Sequence, residues 1–166
     1  MHTLVIELQK ALPKLTFEAG EEFCWSPKTQ TIVYAADVED TTVGAWSLLH
    51  EVAHALLDHK RYASDFELLH LEAAAWQRAT ELAQTYGQRI SSDHIQDCLD
   101  TYRDWLHQRS TCPLCGTTSL QETARTYRCH NCGTTWTVTA SRFCRPYRRL
   151  QTLKKSPVAK QPATFS

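Results

Sequence analysis

The sequence predicts an α+β chain: a compact domain of helices and a small antiparallel sheet, followed by a small β-type module tied together by cysteines. Three observations carry this. Apolar residues recur at helical spacing through long segments between Val43 and Leu106, and two β-type runs precede them. After Ser110 the composition turns to Cys, Thr and Gly and contains two Cys-x-x-Cys pairs. A chain of 166 residues with 42% hydrophobic residues can bury one modest core and a metal-stapled module beside it, but not two full domains. The expected division is a domain over 1–109, a module over 110–140 and a basic, partly disordered tail over 141–166.

Residues 3–12 place apolar groups at helical spacing and stop at Pro13, which predicts a short opening helix. A strand-like run around Phe17 and Glu21–Trp25 is followed by a second at Thr31–Ala36. The Ser26-Pro27-Lys28-Thr29-Gln30 segment between them has turn chemistry. From Val43 to Leu57 the apolar positions Trp46, Leu49, Val52, Ala53 and Leu57 mark a helix around two histidines. A second long helix is expected from Asp65 to Tyr86, closed by Gly87. A third begins after Ser91 or Ser92, with Ile95, Leu99, Tyr102 and Leu106 on one face. Short β-type runs at Arg125–Arg128 and Thr135–Thr139 complete the module, and 154–166 reads as disordered.

Formal net charge is zero, yet the halves differ. Residues 1–109 hold nine Lys/Arg against seventeen Asp/Glu, about −8; residues 110–166 hold nine against one, Glu122, about +8. Such a basic segment meets an anionic partner such as nucleic acid or docks on acidic surface. Arg142, Arg145, Arg148 and Arg149, interleaved with Phe143 and Tyr147, are the candidate phosphate and base contacts. The bland alternative is a solubilising tail. No apolar run is long enough to span a bilayer, and no signal-peptide pattern precedes the cysteines, so a soluble protein of the reducing cytoplasm is expected.

His50-Glu51-Val52-Ala53-His54 is a His-Glu-x-x-His motif. Residues four apart share a helix face, so both imidazoles can reach one ion, while Glu51 projects to the side and can take a proton from an activated water. A catalytic zinc needs a third protein ligand and an open fourth position. Four candidates lie downstream: His59, Glu67, His70 and Glu72. At about 100° per residue, Glu72 falls within about 40° of Leu68, Trp76, Ala79, Ala83 and Tyr86, the inward stripe, where a carboxylate must be paired, protonated or bound to a cation. Glu67 and His70 project about 140° and 160° away and read as surface groups. His59 lies beyond the reach of the His50/His54 face and reads as a residue of the helix end.

The segment Leu48-Leu49-His50-Glu51-Val52-Ala53-His54-Ala55-Leu56-Leu57, followed by Glu72-Ala73-Ala74-Ala75-Trp76, resembles the ImmA/IrrE-type metallopeptidase domain, over roughly residues 20–90. The resemblance implies a compact zincin-like fold of the gluzincin kind, with zinc on the residues corresponding to His50, His54 and Glu72. It also implies hydrolysis of peptide bonds in a protein substrate such as a transcriptional repressor. The chain differs from many such proteins in having no evident helix-turn-helix pattern and in carrying a cysteine module.

That module reads Cys112-Pro113-Leu114-Cys115-Gly116, then twelve residues, then Cys129-His130-Asn131-Cys132-Gly133. Paired knuckles of this spacing hold a tetrahedral structural zinc, and a redox Cys-x-x-Cys would need no matching pair. A zinc ribbon is therefore expected, giving two zinc ions per chain, one catalytic and one structural. His130 reads as solvent-facing. Cys24 and Cys98 are expected in the core, and Cys144, among arginines, has surroundings that would lower a thiol's pKa.

Three functions follow: a zinc endopeptidase with Glu51 as base and the Thr31–Ala36 strand pairing with substrate; a non-catalytic nucleic-acid-binding or adaptor regulator acting through ribbon and tail; and a DNA-associated protease of the SprT-like kind, which would use a third histidine such as His70. Tyr34, Tyr62 and Tyr86 are candidate transition-state donors.

Overall fold

The computed structural model describes residues 1–139 and the backbone of 148–150. It is a mixed α+β chain of two compact units, Met1–Leu106 and His107–Ser166. The division falls inside the last helix, α4 (Ser92–Ser110).

The first unit opens with α1 (His2–Ala11), which buries Leu4, Val5 and Leu8. Three short strands follow, β1 (Thr16–Gly20), β2 (Cys24–Ser26) and β3 (Thr31–Ala35), in the spatial order β1-β3-β2. The sheet is mixed, not antiparallel as expected: β1 runs parallel to β3, with Phe17 beside Ile32, and only β2 is antiparallel to β3. The cause is a break in what reads as one run. Residues 21–23 leave the sheet, so the chain turns back before β2 and the β2–β3 hairpin delivers β3 into the middle. Gly20 permits the β1 contact, since a Cβ there would lie 2.5 Å from Val33 Cγ1. As the central strand, β3 has neighbours on both sides and no free edge for a substrate. β1 and β2 are the two edge strands, and Cys24 on β2 is exposed, against the expectation of a core residue.

α2 (Thr41–Leu56) starts at Asp40, whose Oδ1 accepts from the backbone N–H groups of Thr42 and Val43 at 2.8 and 3.1 Å. Its end is a Schellman turn: Asp58 takes a left-handed φ of 54°, Asp58 N–H reaches Ala55 O at 3.1 Å, and His59 N–H reaches His54 O at 3.0 Å. α3 (Asp65–Thr85) starts at Ser64, which accepts from Glu67 N–H at 3.1 Å, and closes at Gly87 with φ +65°. α2 packs on α3, on β2 and on β3. Leu48, Leu49, Val52, Ala53, Ala75, Trp76 and Ala79 form the centre of the core with Ile32 and Leu8. Cys98 is half-buried against this cluster.

The second unit holds the last turn of α4 and the antiparallel strands β4 (Leu120–Thr123), β5 (Thr126–Arg128), β6 (Thr135–Val138) and β7 (Arg148–Leu150), paired in that order. β5 and β6 correspond to the expected runs. β4, with one half-buried residue among three exposed ones, and β7, in the segment read as tail, are not evident from alternation. Tyr127 and Trp136 stack at 5.7 Å inside a small core with Cys112, Cys129 and Val138. Trp136 Nε1–H donates to Arg109 O at 3.0 Å, and the Arg109 guanidinium donates to Thr139 O. The expected disorder of 154–166 lies outside the described residues, as does Cys144. No helix among the described residues is long and apolar enough to cross a membrane.

Candidate metal centres

α2 carries His50 and His54 on one face, and α3 brings Glu72 against them. The donor atoms form a near-equilateral triangle: His50 Nε2 to His54 Nε2 is 3.1 Å, His50 Nε2 to Glu72 Oε2 is 3.2 Å, and His54 Nε2 to Glu72 Oε2 is 3.6 Å. A tetrahedral ion with donor bonds of about 2.0–2.1 Å spaces its ligands by about 3.3 Å, so the group fits one ion with a fourth position left over. The side chains of His50 and Glu72 are 9% and 7% exposed, His54 12%. Burial alone would push the Glu72 carboxyl up, but the hydrogen bond from His50 first, and then the nearby His54, outweigh it and hold the group well below the usual carboxylate range. That direction favours the carboxylate form, the one that would hold a cation.

The two rings are steadied differently. His50 stacks on Trp76, centroids 4.1 Å apart and planes 28° apart, and its Nδ1 is buried with no hydrogen-bond partner among the described residues. His54 has a partner: its Nδ1 lies 2.9 Å from His59 Nδ1. His59 is therefore part of the site, although helical spacing alone places it out of reach; the Schellman turn carries it back over His54. The signal was Asp58, a residue type that tolerates the left-handed conformation. Burial first, then the neighbouring His54, pushes the His59 imidazole below its ordinary value.

Glu51, half-buried, is not one of the three clustered donors: its Oε2 accepts from Trp25 N–H at 2.7 Å, on edge strand β2. Trp25 also donates its indole N–H to His59 O at 3.0 Å. One strand residue thereby ties Glu51 to the turn that holds His59.

His70 and Tyr62 are exposed, Glu67 is used at the start of α3, and neither His70 nor Glu67 belongs to the donor cluster. Tyr34 and Tyr86 pack against the core. A cavity of about 740 Å³ opens beside Trp46, Thr80, Gln84 and Arg89, but contains none of the three donors.

In the second unit Cys112, Cys115, Cys129 and Cys132 gather, with Cys112 Sγ 3.6 Å from Cys132 Sγ and Cys115 Sγ 3.5 Å from Cys129 Sγ. Tetrahedral thiolates at about 2.3 Å from an ion stand about 3.8 Å apart, so this cluster also fits one. The two knuckles repeat one backbone pattern: Cys112 N–H to Thr117 O and Gly116 N–H to Cys112 O, then Cys129 N–H to Thr134 O and Gly133 N–H to Cys129 O. Gly116 and Gly133 have φ of +71° and +76° with open space where a side chain would stand, so conformation and not crowding requires glycine. Asn131 Nδ2–H donates to Cys115 Sγ at 3.6 Å, and the Thr117 hydroxyl lies 3.5 Å from it. Thr117 first, then Asn131, pushes the Cys115 thiol down to about 5, while burial pushes Cys112 up. Cys129, with Cys132 N–H toward it, is lowered. His130 is exposed. Arg142 and Arg145 lie outside the described residues, and Arg148 and Arg149 are described only as backbone of β7.

No known protein family, curated protein or solved structure matches this chain.

Proposed function

We propose that the chain is a zinc-dependent metalloendopeptidase of zincin-like fold, akin to the ImmA/IrrE type, acting on a protein substrate. The observation that carries the reading is the triangle of His50, His54 and Glu72 with Glu51 next in sequence to one ligand and free of the triangle. His50, His54 and Glu72 would hold the zinc, and the four cysteines a second, structural zinc with no open position. A bound zinc supplies Lewis acidity toward a peptide carbonyl and acidifies water. Glu51 takes the proton from the attacking water and passes it to the leaving amine. Its reach is set by β2: Trp25 N–H holds the carboxylate beside this short strand. β3 is enclosed, so an extended substrate segment would add at an outer strand, β1 or β2.

The deciding experiment is Glu51→Gln. The amide fills the same volume but cannot accept a proton, so peptide hydrolysis should fall by about 10²–10⁴-fold with zinc content unchanged. Activity equal to wild type would overturn the assignment. A second reading, nucleic-acid binding through the second unit and tail, is favoured by the charge of about +8 over 110–166. It predicts binding that weakens steeply with salt and is lost on deleting 140–166.

A further inference from the structure

We infer that His59 is a positioning residue for the His50–His54–Glu72 site, fixing His54 in the tautomer that turns its Nε2 lone pair toward a metal; this rests on the metal-site reading above. Two imidazole nitrogens 2.9 Å apart share one proton, and His54 Nδ1 and His59 Nδ1 are at that distance. The other nitrogen of His54 points at His50 Nε2 and Glu72 Oε2, 3.1 and 3.6 Å away. A ligand nitrogen in that position must present a lone pair, so the proton of neutral His54 belongs on Nδ1 and is donated to His59 Nδ1. His59 then carries its own proton on Nε2.

The fold holds His59 for this task from three sides. Asp58 in the left-handed region and the His59 N–H to His54 O bond at 3.0 Å place it one reversal above the ring it contacts. The rings meet at 5.0 Å and 70°, edge to face. Trp25 Nε1–H on His59 O, at 3.0 Å, fastens the same residue to the sheet. His50 has no counterpart: its Nδ1 is buried without a partner among the described residues, and Trp76 holds its plane by stacking. Of the two histidines, His54 is the one whose protons are arranged before an ion arrives.

The test uses the full chain stripped of the ion at this site, with ¹⁵N-labelled histidine, and zinc as the probe. Long-range ¹H–¹⁵N spectra should place the His54 proton on Nδ1 in wild type. His59→Leu removes the acceptor and should lose that preference, with zinc affinity at the His/Glu site down about tenfold to a hundredfold and the cysteine site unchanged. His59→Gln keeps an acceptor oxygen near the same place and should restore both. The inference is overturned if wild-type His54 carries its proton on Nε2, if His59→Leu binds zinc as tightly as wild type, or if His59→Gln is as weak as His59→Leu, which would mark a merely structural contact. A wild type that takes up only the cysteine-bound ion would sink the metal reading and this role together. That is distinct from failure of the His59 assignment alone, in which wild type and His59→Leu each take up two ions equally well.

Discussion

The two donor clusters gather ligands by opposite means. In the second unit the four cysteines sit on two short turns, and the unit's buried cluster is small, Tyr127, Trp136 and Val138 with two of the cysteines themselves. In the first, His50, His54 and Glu72 project from two long helices packed through a large apolar core. An ion at the cysteines would therefore be part of what folds the unit, whereas the histidine triangle is assembled by packing that exists without any ion. Donor number follows the same division. Four thiolates would close a tetrahedral site; two imidazoles and one carboxylate would leave a place open.

The strongest way to break this contrast is Cys129→Ser. It should remove one ion and unfold the second unit altogether, seen as rapid proteolysis within 111–139, while the thermal transition of the first unit stays in place. Intact resistance to protease would show that the unit does not depend on metal. Glu72→Gln is the counterpart in the first unit. It should weaken the ion there by more than about a hundredfold, a direct ligand being worth more than the outer contacts that cost ten to a hundred, yet leave the helices folded by circular dichroism. Chelator titration separates the two clusters without mutation: an ion on the open triangle should leave first and one on the four thiolates last, measured as zinc released against time.

Acid probes the triangle when it holds no ion. Because the folded-state pKa of Glu72 is depressed, its contribution to stability is complete above the ordinary carboxylate value of about 4.3 and is lost as pH falls below that toward the lower folded value. The melting temperature of the chelated protein should drop through that window, and Glu72→Gln should flatten the drop. The smallest effect is expected from His70→Ala: the side chain is exposed, so ion content, activity and melting should stay within about 0.5 kcal/mol of wild type.

What the sequence revealed tracks how local each feature is. The His50/His54 spacing, the inward position of Glu72 and the paired knuckles are set by periods of a few residues, and the structure brings those side chains together. The strand order was not legible, because the placement of β3 between β1 and β2 depends on three residues, Glu21, Glu22 and Phe23, stepping out of a run whose composition is continuous. His59 was not legible as a site residue because helical spacing stops at Leu57 and says nothing of the reversal at Asp58 that follows. Trp25 was missed as well. Its two bonds reach 26 and 34 residues along the chain, a separation that no local pattern encodes.

The stack of Trp76 on His50 has an optical consequence. An indole 4.1 Å from an imidazole and nearly parallel to it loses excited-state energy to a degree set by the charge on that imidazole. Coordination at His50 Nε2 draws electron density from the ring, so Trp76 emission should change as an ion arrives and return when it leaves. The chain has five tryptophans, and Trp76→Phe would identify which one answers. Filling of the triangle could then be followed by light alone, on a fluorophore the fold already holds against His50.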